Sequence, residues 1–301
     1  MDMHPWLTTI FAPGFFSNEP VLTAIVVGGG AAVVSGVVGV FTIIRGQSFA
    51  GHALADVSSA GGSASFLLGV SPLLGFTGMA IIAAAVMGFA DMRDARERDL
   101  LTGIVLGAGL GLTALFLYFD INSMSTSGAA ITVMFGSMFS IPASIIPLTL
   151  IVAVGAIAAV VVAYRPLLVS SLSAELAEVQ GVHSRVIGLT YVLALSLAVA
   201  LSAMTIGAIL STALLIGPAA AALRLANRPG SAVILSVALG LAATWGGILL
   251  AYDSFYWTPG HGWPVSFFIV TLVLLFYVMA TLVAHRGAGR LRAHRPEVCG
   301  S

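Results

Sequence analysis

Two titratable side chains four residues apart, His52 and Asp56, lie in a polar, small-residue passage, RGQSFAGHALADVSSAGG, that runs from Arg45 to Gly62 between two hydrophobic spans. On a helix this spacing places an imidazole and a carboxylate on one face. Such a pair can contact a metal ion, carry a proton, or simply hydrogen-bond within or between helices. In lipid an ionisable group is costly unless it meets a cavity, a partner or an ion, so the pair is a candidate functional site.

Other candidate chemistry is weaker. Met124, Met134 and Met138 would suit a soft copper path, but methionine more often fills gaps. Gly61 to Ser63 would suit an intramembrane serine hydrolase only with a paired base in a facing span, so tight helix packing is the preferred meaning. The string LGAGLG lies inside an apolar span with no strand before it and is not a dinucleotide loop. Gly103, Gly107 and Gly111 recur every four residues and predict close approach of a neighbouring helix. There is no HExxH, no recognisable nucleophile and base pair, and no phosphate-cradling GxxxxGK[ST] loop, so no enzyme is expected. His4, His183, His285 and His294 fall in tails or loops, and His261 has only Asp253 near it in sequence.

The elements that position the pair follow from composition. With 59% hydrophobic and 8% charged residues, the 301-residue chain is an integral membrane protein, because soluble domains are about one-quarter charged. Strict apolar and polar alternation is absent, so the spans are helices and the fold is all-α and polytopic. A lone Cys299 permits no intramolecular disulfide. No basic residue precedes Arg45, so insertion is expected from the spans themselves rather than from a secretory signal. Net charge is zero and every basic residue is Arg, which argues against nucleic acid as a partner.

Candidate spans are residues 21–44, a shorter 56–70, 73–90, 100–119, 145–164, 186–203, 206–223, 232–252 and 265–284. If the stretch 123–141 dips into the membrane without crossing, all twelve arginines fall on one side, as the preference of basic loops for the cytoplasm requires. That predicts nine crossings and one re-entrant helix, with the N-terminus outside and the C-terminus inside. Residues 1–20 form an extracytoplasmic segment, 21–284 the transmembrane domain and 285–301 a cytoplasmic tail. Asp120, Asn122 and the aromatic stretch DSFYWTPGHGW are then expected in outside loops, the latter as an interfacial belt or a docking loop for an external partner.

Two places interrupt the helical pattern. SAELAEVQG predicts a short cytoplasmic helix capped by Ser173, with Glu175 in its first turn and Gly181 at its end, a natural docking element. In the seventh span Pro218 follows Gly217 and predicts a kink.

Three stretches in order, IIRGQSFAGHALADVSSAGGSASFLLG, LSAELAEVQGV and TIGAILSTALLIGPAAAALRLA, resemble the permease subunits of bacterial zinc and manganese ABC importers, with a weaker echo in GWPVSFFIVTLVLLF. The resemblance runs from about Val21 to Ala284 and rests on the combination and order of the stretches. It implies a fold related to vitamin B12 and metal-chelate permeases, in a homodimer in the bacterial cell membrane. Two cytoplasmic ATP-binding subunits would lie beneath it and an extracytoplasmic metal-binding protein above.

The cargo so implied is a divalent transition metal, Mn, Zn or Fe, with no cofactor bound by this subunit. Ser173, Glu175, Leu176, Glu178 and Gly181 look like the family's coupling helix, and Gly217 with Pro218 like a hinge. The family's Gly-Asp-x-Leu-x-His stands here as Gly51-His52-Ala53-Leu54-Ala55-Asp56, the two ligand types present but exchanged. One imidazole and one carboxylate from each of two copies make a set compatible with these metals. Alternatives are a permease for a metal chelate or cofactor, or an ion-gradient-driven secondary transporter using the pair as a proton site.

Overall fold

A computed structural model of the chain describes residues 14–89, 95–123, 128–172, 184–257 and 262–293. Its long helices are α1 (Glu19–Ile44), α2 (Ser48–Leu68), α3 (Pro72–Phe89), α4 (Ala95–Ser123), α6 (Ile146–Val162), α8 (Ser184–Ile206), α9 (Ala208–Leu225), α10 (Pro229–Trp257) and α11 (Val265–Ala293). Two short helices complete the set, α5 (Ala129–Phe135) and α7 (Tyr164–Leu172). Eight of the long helices are long and apolar enough to cross a membrane. The ninth, α2, has 21 residues and would span about 31 Å, but it is too polar to be recognised by hydropathy.

The expected polar passage before a short second span is therefore helical throughout. α2 begins eight residues ahead of position 56, which brings both His52 and Asp56 inside it. From Ala53 to Ser63 α2 is buried without interruption, enclosed by α3, α4, α8 and α9, while His52 near its start and Leu68 at its end are exposed. Polar burial is tolerated because the hydroxyls are satisfied. Ser58 donates to the Ala55 carbonyl at 2.8 Å, Ser59 to that of Asp56 at 2.6 Å, Ser63 to that of Ser59 at 2.8 Å and Ser65 to that of Gly62 at 2.6 Å. The Ser59 and Thr113 hydroxyls also meet at 2.8 Å, tying α2 to α4. Ser63 is thus a fully buried hydroxyl bonded within its own helix, in keeping with the packing meaning of Gly61 to Ser63.

Small residues set how closely the helices approach. Gly61 of α2 and Gly75 of α3 face each other so tightly that a Cβ on either would collide with the other's carbonyl oxygen. Within one copy of the chain Gly103, Gly107 and Gly111 of α4 meet no described neighbour and look outward. The glycine that packs is Gly109, against Val57 of α2.

Seven residues of α5 span only about 10 Å, too little to cross. Gly136, at φ +74°, ends α5 against the Thr205 to Gly207 backbone of the α8–α9 turn, where Gly207 has φ +90°. Ser266 at the start of α11 donates to the Phe135 carbonyl at 2.6 Å, and Met138 fills the space over Gly28 of α1. The segment therefore enters and leaves at one face, so that among the described residues one short re-entrant element stands beside nine long helices, eight of them apolar enough to span. Arg45, Arg98, Arg165, Arg185 and Arg224 sit at or near helix ends on the opposite face, and Arg286 lies about two turns before the end of α11. The last helix continues to Ala293, beyond the apolar stretch.

Gly61→Leu is expected to destabilise the purified protein by about 1–3 kcal/mol or more, because backbone on α3 must move. The matched exposed change Gly78→Leu, with open space around it, should leave the unfolding free energy in detergent within about 0.5 kcal/mol of the parent.

Candidate functional site

His52 and Asp56 lie about 6 and 12 Å along α2 from its start at the arginine-bearing face. His52 Nε2 stands 3.6 Å from Asp56 Oδ2, beyond ordinary hydrogen-bond length. The His52 side chain is 46% exposed and that of Asp56 11%, so the imidazole is the open side of the pair. Two ligands each about 2.1 Å from one ion lie no more than about 4.2 Å apart, and the observed separation falls inside that limit. Among the described residues no third His, Cys, Asp or Glu joins them. One copy of the chain thus offers two ligands and leaves the rest of a coordination shell to water or to a second copy.

The turn into α2 is built with little freedom. Gly46, at φ +63°, follows the α1 cap Arg45 and donates to the Ile43 carbonyl at 3.0 Å, while Gln47 donates to that of Thr42 at 2.9 Å. This is the Schellman pattern of helix ending, which needs the left-handed residue that glycine supplies. Gln47 in turn accepts the Gly51 amide at 3.1 Å, starting α2 directly.

Two cavities are lined by neither His52 nor Asp56. Both open at the face opposite the arginines. One of about 530 Å³ lies among Tyr252, Phe255, Tyr256 and Trp263, with Asn18 and Phe139 completing much of its wall. Asp253 to Trp257 of the expected outer aromatic loop thus form the end of α10. The other cavity, of about 360 Å³, sits beside the α2–α3 turn and collects the hydroxyl residues Ser71, Thr132, Ser137, Ser140 and Ser144 with Met204.

The remaining sequence candidates do not join the pair. Met134 is exposed on α5, Met138 is buried at Gly28, and Met124 lies outside the described residues. His285 is exposed on α11, while His4, His183, His261 and His294 lie outside the described residues. Ser173, Glu175, Leu176, Glu178 and Gly181 also lie outside them. Pro218 is buried within α9, which continues through it to Leu225, and Val273 of α11 packs over Gly217.

Asp120 was expected in a loop but belongs to α4. It is fully buried, and among the described residues neither carboxylate oxygen has a hydrogen-bond partner. A hydropathy profile places it at a helix end and carries no signal for burial, which the neighbouring helices impose.

These features define a polytopic helical membrane protein with ionisable groups held among its spans, the class in which solute and ion pathways are found. A model of the ABC 3 transport family matches residues 17–284, and the chain belongs to that family. The manganese transport system membrane protein MntC of Listeria innocua is 30% identical over 237 residues, 79% of this chain and 82% of its own. The high-affinity zinc uptake system membrane protein ZnuB of Haemophilus influenzae is 25% identical over 242 residues, 78% and 90% of the two chains. The fold is similar to that of PsaBC from Streptococcus pneumoniae in complex with Fab, with TM-score 0.76 at 24% identity over 91% of this chain and 95% of that one. It is also similar to a putative metal-chelate type ABC transporter in an inward-facing conformation, with TM-score 0.69 at 16% identity over 94% and 90%.

A buried, unpaired carboxylate carries a penalty of several kcal/mol. Asp120→Leu is therefore expected to raise the thermal midpoint of the purified chain in detergent. A lowered midpoint would show that the carboxylate gains a partner in the assembled protein.

Proposed function

We propose that the chain is the membrane-spanning permease subunit of an ATP-driven ABC importer for a divalent transition metal, Mn, Zn or Fe. The observation that carries this reading is the geometry of His52 and Asp56, a hard oxygen and a borderline nitrogen ligand at 3.6 Å, half open on an otherwise enclosed helix. Family membership and the manganese and zinc transport relatives support the cargo class.

A second copy supplies the matching imidazole and carboxylate, giving two nitrogens and two or more oxygens around one ion. The outward-looking Gly103, Gly107 and Gly111 of α4 offer a surface on which another helix can approach closely. The N-terminus lies outside the cell membrane and the C-terminus inside, so the arginine-bearing face is cytoplasmic. ATP-binding subunits dock there on the segment Ser173 to Gly181, whose Glu175, Leu176 and Glu178 meet the ATPase. A metal-binding protein delivers the ion at the opposite face.

The ion pauses at His52 and Asp56, which bind it firmly enough to select it and weakly enough to release it inward. Gly217 and Pro218 serve as the hinge of α9, where Pro218 leaves the Leu214 carbonyl without its helical donor. No ATP is hydrolysed on this subunit, and the chemistry of transport here is ligand exchange.

His52→Ala combined with Asp56→Ala is expected to abolish Mn²⁺ and Zn²⁺ uptake by the intact complex, while size-exclusion chromatography shows unchanged assembly. Restoring the family order, His52→Asp with Asp56→His, should retain uptake and change the ratio of Mn²⁺ to Zn²⁺ in competition. Parental uptake by the double alanine variant would remove the pair from the pathway.

A further inference from the structure

The cation nearest the titratable pair in sequence has a setting that ion transport by ligand exchange does not use. Arg45 caps α1 and is half buried, with its Nε fully buried and, among the described residues, without a hydrogen-bond partner. No Asp or Glu pairs with it among the described residues. Its Nη1 instead donates to the Ser170 hydroxyl of α7 at 2.8 Å, with the Ser171 hydroxyl at 3.5 Å. Its guanidinium carbon lies 5.1 Å from the ring centroid of Tyr191 in α8.

The tyrosine continues the connection. Tyr191 is 1% exposed and donates through its hydroxyl to Thr42 Oγ1 of α1 at 2.8 Å. Thr42 is the residue whose carbonyl receives the Gln47 amide and so closes the turn into α2. Arg45, Tyr191 and Thr42 therefore join three elements, α1, α7 and α8, at the root of the helix that carries His52. His52 is only seven residues beyond Arg45, and the turn between them is locked by backbone hydrogen bonds.

Charge placed this way is poor economy for stability alone. A half-buried guanidinium facing neutral hydroxyls and an aromatic ring gives up hydration without a counter-ion, where an apolar residue would pack without penalty. Its planar fork does, however, hold direction, bonding along its plane while stacking across it. α7 runs to Leu172, so the hydroxyls that Arg45 grips lie two and three residues before Ser173, where the ATPase-docking segment begins.

We propose that Arg45 is the positioning residue that transmits movement of the ATPase-docking segment to the His52 and Asp56 site. Displacement of α7 pulls on the guanidinium through Ser170, and the rigid turn at Gly46 and Gln47 passes that pull to the first turns of α2. The imidazole then shifts against its counterpart on the second copy, and the ion is released. Arg45 touches no ion and acts through α2. This inference rests on the importer reading.

The test uses the whole transporter, permease with its ATP-binding subunits and metal-binding protein, in proteoliposomes, with Mn²⁺ uptake and ATP hydrolysis measured together. Arg45→Gln is expected to keep hydrolysis near the parental rate and to lower the ions moved per ATP by about fivefold or more, the lower end of ordinary coupling between sites. Arg45→Lys, which keeps one donor to Ser170 but loses the planar stack, should recover part of that ratio. Should Arg45→Gln fail to assemble, Ser170→Ala with Ser171→Ala removes only the acceptors and should show the same uncoupling.

An unchanged ratio in an assembled variant, or uptake and hydrolysis falling in parallel, overturns the assignment while leaving the importer intact. A parental complex that hydrolyses ATP with the metal-loaded binding protein present but accumulates neither Mn²⁺ nor Zn²⁺ refutes the importer reading itself.

Discussion

The structure depends on burying α2, a helix of serines, alanines and glycines with two titratable groups, in the middle of a bundle of far more apolar helices. Such a helix gains little from the hydrophobic effect and would be unstable on a lipid-facing surface. Its hydroxyls are retained because each finds a carbonyl one turn back, so no donor is stranded in a medium without water. The small side chains then let α3 and α4 approach to backbone contact at Gly61 and Gly109. Burial and polarity are in this way compatible, and an imidazole with a carboxylate can be held among the spans with one edge left open.

The neighbours of α2 convert that burial into position. Its N-terminal end follows from the Schellman turn after Arg45, and its flank from the hydroxyl contact of Ser59 with Thr113. At the far face the re-entrant α5 is clamped between the α8–α9 turn and the start of α11 through Gly136, Gly207 and Ser266. One end of the bundle therefore carries arginines and the ionisable pair, while the other carries cavities walled by hydroxyls and aromatic rings.

Much of this was legible from residue order. The apolar runs located eight long helices, and the one-sided arginines predicted that the stretch after Asn122 would not cross, as the shortness of α5 bears out. The spacing of His52 and Asp56 was legible too, since i and i+4 share a face on any helix. Less legible was that the helix begins at Ser48. Hydropathy cannot distinguish a polar loop from a small-residue helix whose hydroxyls bond its own carbonyls. Likewise the recurrence of Gly103, Gly107 and Gly111 pointed to packing, whereas the neighbouring helix sits against Gly109, because periodicity identifies a face and not its occupant.

Composition and spacing by themselves determined that this chain spans a membrane as helices, how its charged ends divide, and which two side chains could share an ion, because those properties are local or summed along the chain. Only the tertiary structure decided that α2 is enclosed, that Asp120 is buried without a partner among the described residues, and that Arg45 reaches Ser170 and Tyr191 from elements 125 and 146 residues away in sequence. Those outcomes depend on which helix faces which, and that is set by steric fit between backbones at glycine contacts that no single segment encodes.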